Sequence, residues 1–181
     1  ASPDDGWTVP ITNRWVLVFG SGPTDLDSAT SDQDARVYAY DLNEKEWATD
    51  WSSEPLTVSL ESNAFLGDFA AVDWDRDFVD DAVYFGVNTG TSSASDGQLA
   101  RMRLRSDVPA SWLSGADIDT LFNAQRSVLG APEGKLDVYG NRWVYFGTGR
   151  LLVAADNASA TRMADTRPRR TALRPPVSAD L

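Results

Sequence analysis

The sequence predicts an all-β fold, a partial β-propeller of about three antiparallel blades. Three observations lead there. Short runs rich in β-branched and aromatic residues recur along the 181 residues, separated by Gly-, Ser- and Asp-rich turns. One strand motif returns: Arg14-Trp15-Val16-Leu17-Val18-Phe19-Gly20-Ser21-Gly22 reappears as Arg142-Trp143-Val144-Tyr145-Phe146-Gly147-Thr148-Gly149, with a weaker copy, Ala82-Val83-Tyr84-Phe85-Gly86, between them. The Phe-Gly pairs begin at 19, 85 and 146, steps of 66 and 61 residues. Repeats of this length, made of short strands, are blade-like. Propellers close with typically four or more blades, so three copies predict open edges that meet missing blades or another chain.

Taken in order, residues 1–13 form a polar leading loop with Pro3, Gly6 and Pro10. The propeller-like repeat region spans 14–156. Its first strand is Arg14–Phe19, ended by the turn Gly20-Ser21-Gly22-Pro23. A surface loop, Thr24–Asp34, precedes the strand Ala35–Leu42. A hairpin through Asn43 leads to Trp47, and a weaker strand lies between Trp51 and Leu60. Leu66–Val72 and Ala82–Val87 flank an acidic loop. Asn88–Gly97 reads as a loop. Gln98–Arg105 alternates apolar and polar residues, as a half-buried strand does, which puts Arg101, Arg103 and Arg105 on the solvent face. Asp107–Gln125 is the one plausible helical piece: Asp117 can cap it, and Ile118, Leu121 and Phe122 repeat at helical spacing. Ser127–Leu136 leads into the strand Arg142–Phe146, and Leu151–Ala155 is expected to be the next strand. Residues 157–181 lose the apolar rhythm and read as an extended Arg/Pro-rich tail.

The formal net charge is −11, distributed as +3 on residues 157–181 and −14 on the rest. So acidic a body argues against nucleic acid, whose phosphates need basic surface, and suits divalent cations. There is no Cys and no His. Thiolate metal sites and disulfides are therefore out, and so are the usual neutral-pH general base and the commonest zinc ligand. No run is long and apolar enough to span a bilayer.

The acidic loop is the chemical centre of the sequence. It reads Asp73-Trp74-Asp75-Arg76-Asp77-Phe78-Val79-Asp80-Asp81 and runs at once into Ala82-Val83-Tyr84-Phe85-Gly86. Carboxylates at relative positions 1, 3, 5 and 9 repel one another unless protonated, solvated or neutralised by a cation. Hard cations such as calcium take several oxygen ligands at short range. Asp73, Asp75, Asp77 and Asp81 are thus expected as side-chain ligands of calcium, with the Val79 carbonyl as a fifth. The pattern is that of DxDxDGxxD loops, with one departure: position 6 is Phe78 rather than Gly. A bulky residue rarely takes positive φ, so Phe78 is expected to alter the turn or weaken the site.

Three segments together resemble the C-terminal β-propeller domain of the PilC/PilY family of type IV pilus-associated adhesins. They are Val18-Phe19-Gly20-Ser21-Gly22, the acidic loop with Val83-Tyr84-Phe85-Gly86, and Tyr145-Phe146-Gly147-Thr148-Gly149-Arg150. The likeness covers roughly residues 14–156, about the last three blades. It implies an extracellular or cell-surface pilus component, exported through the periplasm, with calcium held by Asp73, Asp75, Asp77, Val79 and Asp81. It further implies a role in pilus assembly, retraction control and adhesion. The implied partners are minor pilins or the remaining propeller blades, and a host or surface receptor. The adhesive N-terminal region of that family has no counterpart here.

Two alternatives stand beside this reading. One is a calcium-stapled scaffold or carbohydrate-binding extracellular propeller, in which Trp7, Trp47 or Trp51 stacks on sugars. The other is a quinoprotein-like propeller enzyme, with Arg142 or Arg150 holding an anion. A quinoprotein needs a closed ring around its cofactor and a ligand set that this sequence does not show, so the expectation is a non-enzyme.

Overall fold

The computed structural model describes residues 15–43, 45–47, 58–91, 94–105, 117–152, 154 and 156. All ten elements among them are β-strands, and every strand pairing is antiparallel. The leading loop, the Trp7 and Trp51 side chains, and the Arg/Pro-rich tail lie outside the described residues.

The first sheet contains β1 (Val16–Gly20), β2 (Arg36–Asp41), β3 (Glu46–Trp47) and β4 (Val58–Ser59). β1 lies along β2 in the register Leu17↔Tyr40 and Phe19↔Tyr38. β3 and β4 pair with opposite ends of β2. The second sheet is a meander of β5 (Ala64–Val72), β6 (Ala82–Thr91), β7 (Ala94–Arg103) and β8 (Ile118–Asn123), in that spatial order. The third is a hairpin of β9 (Glu133–Leu136) and β10 (Arg142–Tyr145).

Side-chain alternation puts successive residues on opposite faces of a strand, and the two faces of the second sheet are buried differently. Val83, Phe85, Val87, Ala100 and Met102 pack on Val37 and Ala39 of the first sheet. Ala82, Tyr84 and Leu99 pack on Val144 and Phe146 of the third unit. The second sheet is therefore covered on both sides, and β6 reads as a near-continuous apolar run because of it. Phe85 is fully buried, a burial worth about 1.5–3 kcal/mol.

A bulge in β5 between Leu66 and Phe69 lets residues 127–129 come close. Asp68 N–H donates to the Leu129 carbonyl at 2.7 Å. Any Cβ at Gly67 or Gly86 would overlap the Val128 carbonyl. Glycine is required at both places for this approach.

Several expectations need correction. Residues 118–123 form a strand, not a helix. β-branched Ile118 and Thr120 suit a strand, and Asp119 accepts from Arg101 and Arg103 on β7 at 2.7 and 2.8 Å. Residues 88–91 and 94–97 are strand rather than loop: β6 runs to Thr91 and β7 starts at Ala94, with Gly90 at φ +81°. Arg101 and Arg103 are half-buried rather than solvated, because Asp119 draws them onto β8. Leu151 and Leu152 are not in a strand. The absence of closure, by contrast, is as expected of a partial set of blades: among the described residues the sheets do not close into a ring.

Candidate metal centre

The loop between β5 and β6 is pinned at its closing end. Asp81 N–H donates to the Val72 carbonyl at 2.9 Å, and the Asp81 carbonyl accepts from Leu104 N–H at 2.9 Å. Trp74 anchors the loop from within. Its indole is buried, donates from Nε1 to the Tyr84 hydroxyl at 3.1 Å, and stands edge-on to the Tyr84 ring. The Arg142 guanidinium lies 5.6 Å from the Trp74 ring centroid, a cation–π distance. Gly134 leaves the space that the indole fills.

With both ends fixed, the backbone between them folds around the first carboxylate. Asp73 accepts from Arg76 N–H at 2.6 Å and Phe78 N–H at 2.9 Å. Arg76 and Phe78 take φ of +66° and +73° to allow this. The left-handed turn that glycine usually provides is therefore made here with phenylalanine. Asp81 accepts from Trp74 N–H at 2.6 Å, and Asp75 from Asp77 N–H at 3.3 Å.

The result is a triad. One carboxylate oxygen each from Asp73, Asp75 and Asp81 lie within 4.8 Å of one another. Asp77 lies outside this group, and its Oδ1 accepts from Val79 N–H at 2.8 Å. Of the five residues expected as ligands, three side chains are thus brought together. Phe78 and Val79 sit at the exposed tip.

The charges in the loop act on one another. Burial, then the neighbouring Asp77 and Asp81, raise the Asp75 carboxyl above its ordinary value. Burial, then Asp73 and Asp81, raise Asp80 likewise. Burial also works against the ionised form of Asp73, but the N–H groups of Phe78, Arg76 and Asp77 outweigh it and the net shift is downward. One carboxylate is thus held ionised beside another that is reluctant to ionise. An all-oxygen, all-carboxylate set is the donor chemistry of hard cations, and this triad can bind a metal ion.

A cleft of about 560 Å³ lies elsewhere, lined by Pro23, Phe65, Asp68, Leu129, Arg150 and Leu151 among others, and contains no member of the triad. Arg150, a possible anion holder by sequence, is instead in a buried ion pair with Asp156 at 2.9 Å. Sequence reasoning missed the anchoring roles of Trp74 and Tyr84. The signal was a lone indole inside an acidic run.

The chain matches no family model, no curated protein and no solved structure.

Proposed function

We propose that this chain is a calcium-binding module of a type IV pilus-associated surface protein, built as part of a β-propeller. The observation that carries the calcium reading is the convergence of Asp73, Asp75 and Asp81 in a loop already turned for it. A cation at that point offsets the desolvation and relieves the repulsion that together raise Asp75, and water completes the six to eight oxygens calcium takes. The stacked antiparallel sheets and the recurring Phe-Gly strand motif support the propeller reading. The pilus setting rests on the sequence resemblance, and with it come minor pilins or further blades as partners and an extracellular place of action.

The role assigned to calcium is mechanical. The loop joins β5 to β6, and β6 is in the sheet that touches both others. A filled site fixes that sheet and so stiffens the stack, which then resists being drawn back with a retracting filament.

Calorimetric titration with calcium and with magnesium tests the site directly. At calcium about 100 times its Kd, mass action adds about 2.7 kcal/mol, which raises Tm by roughly 5–10 °C at this size. Chelator should reverse that rise, and Asp75→Ala should abolish it. Asp75 is the choice because it is exposed and its described bond is the long one from Asp77, so its loss spares the fold. No binding heat and a Tm indifferent to chelator would make the loop a plain acidic turn. In cells, Asp75→Ala with Asp81→Ala in the full-length gene should alter surface pilus numbers and weaken attachment at normal protein level. Wild-type piliation after proven loss of calcium binding would assign the site to stapling alone.

A further inference from the structure

Among the described residues, the first sheet has two apolar faces and packs with one. Val16, Val18, Val37 and Ala39 point to the second sheet. The alternate residues, Trp15, Leu17, Phe19, Tyr38, Tyr40 and Trp47, line the other side by strand alternation and register. Trp15 is 74% exposed, Leu17 51%, Trp47 37% and Phe19 36%.

These side chains form an interlocked surface. Phe19 stacks on Tyr38 at 5.4 Å between ring centroids. Trp47 meets Phe19 at 5.8 Å, Tyr38 at 6.3 Å and Tyr40 at 5.3 Å. Rings that already hold one another lose little freedom on docking, and Trp, Tyr and Arg are the residues that dominate binding energies. Arg36, also exposed, continues the same face along β2.

Two features of the molecule point to what covers it. The sheets already bind one another face to face, and the second sheet is buried from both sides. The first sheet presents the same kind of surface to solvent, so the internal packing mode continues naturally across it. The chain is also strongly acidic, at −11, and two such molecules repel except over a surface without carboxylates. Among the described residues this face has none pointing outward: Asp41 is buried on the inner side, and Glu46, its register partner, alternates away from Trp47.

We propose that this aromatic face is a self-association surface that takes the same face of a second copy of this chain. A twofold pair needs only one self-complementary patch. The expected dimer is weak, with Kd on the order of micromolar.

Sedimentation of the 181-residue chain across a concentration series tests this. The expected result is a shift from 19.7 kDa toward twice that mass, strengthened by salt because screening removes the acidic repulsion. Trp15→Asp should weaken the dimer at least about tenfold, and so should Leu17→Lys, since each puts an unpaired charge into an apolar contact. Both side chains are more than half exposed, so circular dichroism and Tm should stay unchanged. A wild-type monomer throughout the series overturns the proposal. So does a dimer that both substitutions leave intact, because its interface then lies elsewhere.

Discussion

Phe78 holds φ at +73° with its side chain 98% exposed. The ring therefore buries almost nothing to offset a conformation that costs a non-glycine residue on the order of 1 kcal/mol. Phe78→Gly should raise Tm by roughly 2–4 °C, the shift expected for about 1 kcal/mol at this size. An unchanged or lower Tm in a melting experiment would show that the glycine's extra freedom in the unfolded chain cancels the relief. Asp137 makes a different local prediction. The Asn141 amide and the Trp143 indole, joined by the N–H groups of Asn141 and Tyr139, hold its carboxyl down to about 2 against burial, from an ordinary 3.8. A depressed folded value means stability that is present above the unfolded value and lost as pH falls through the folded one. Asp137→Ala should thus lower Tm at pH 6, and the gap from wild type should shrink between about pH 4 and pH 2. A gap that stays constant with pH would assign the loss to packing instead.

At the scale of elements, the glycines at the sheet crossings decide the packing. Gly86 clears the way for the Val128 backbone, which the fully buried Asn88 clamps with two bonds: its Nδ2 donates to the Val128 carbonyl at 3.0 Å, and Val128 N–H donates to Oδ1 at 2.6 Å. Gly86→Ala puts a methyl where that carbonyl sits, and overpacking of this kind costs about 1–3 kcal/mol. Tm should fall by roughly 2–12 °C. Gly22→Ala, with open space around it, is the control and should leave Tm nearly unchanged. Equal effects in a melting assay would remove the steric account. These contacts explain what the sequence showed and what it hid. The strand ends at Phe19-Gly20, the strand at Phe85-Gly86 and the acidic spacing were legible because each follows from local chemistry: strand propensity, turn residues, charge. The strand at Ile118–Asn123 was not, because its helical spacing was overridden by pairing to β7 and by Arg101 and Arg103 reaching Asp119. The triad was legible as a group of carboxylates. Which three converge depends on the hydrogen bonds of the folded loop, and these send Asp77 to Val79 instead. Phe78 occupying the left-handed turn was beyond propensity altogether, since Asp73, gripping its N–H, imposes it.

Across the whole molecule, one side chain ties the units together. Arg150 ends the third copy of the Phe-Gly repeat, yet its Nη2 donates to the Ser28 carbonyl at 2.9 Å, in the loop of the first unit. Nη1 reaches the Gly90 carbonyl at 3.4 Å, beside the β6–β7 turn of the second sheet. Nε donates to Asp156 at 2.9 Å, and the two side chains are only 4% and 1% exposed. Asp156 in turn accepts from Leu152 N–H at 2.8 Å. The guanidinium thus spans three sequence-distant segments, and its planar fork of donors suits that better than a lysine would. Removing it takes away the guanidinium that the buried Asp156 carboxylate faces, and breaking a buried pair from one side costs about 3–5 kcal/mol. Arg150→Ala should therefore lower Tm by roughly 6–20 °C, and Arg150→Lys should recover only part. The double change Arg150→Met with Asp156→Leu separates charge from clasp. If the cost of the single change is the broken Arg150–Asp156 pair, the double variant melts well above Arg150→Ala, because both charges of the pair are removed together. If the cost is the lost connection to Ser28 and Gly90, the double variant melts as low as the single one, and limited proteolysis should then cut the loop at residues 24–34 first.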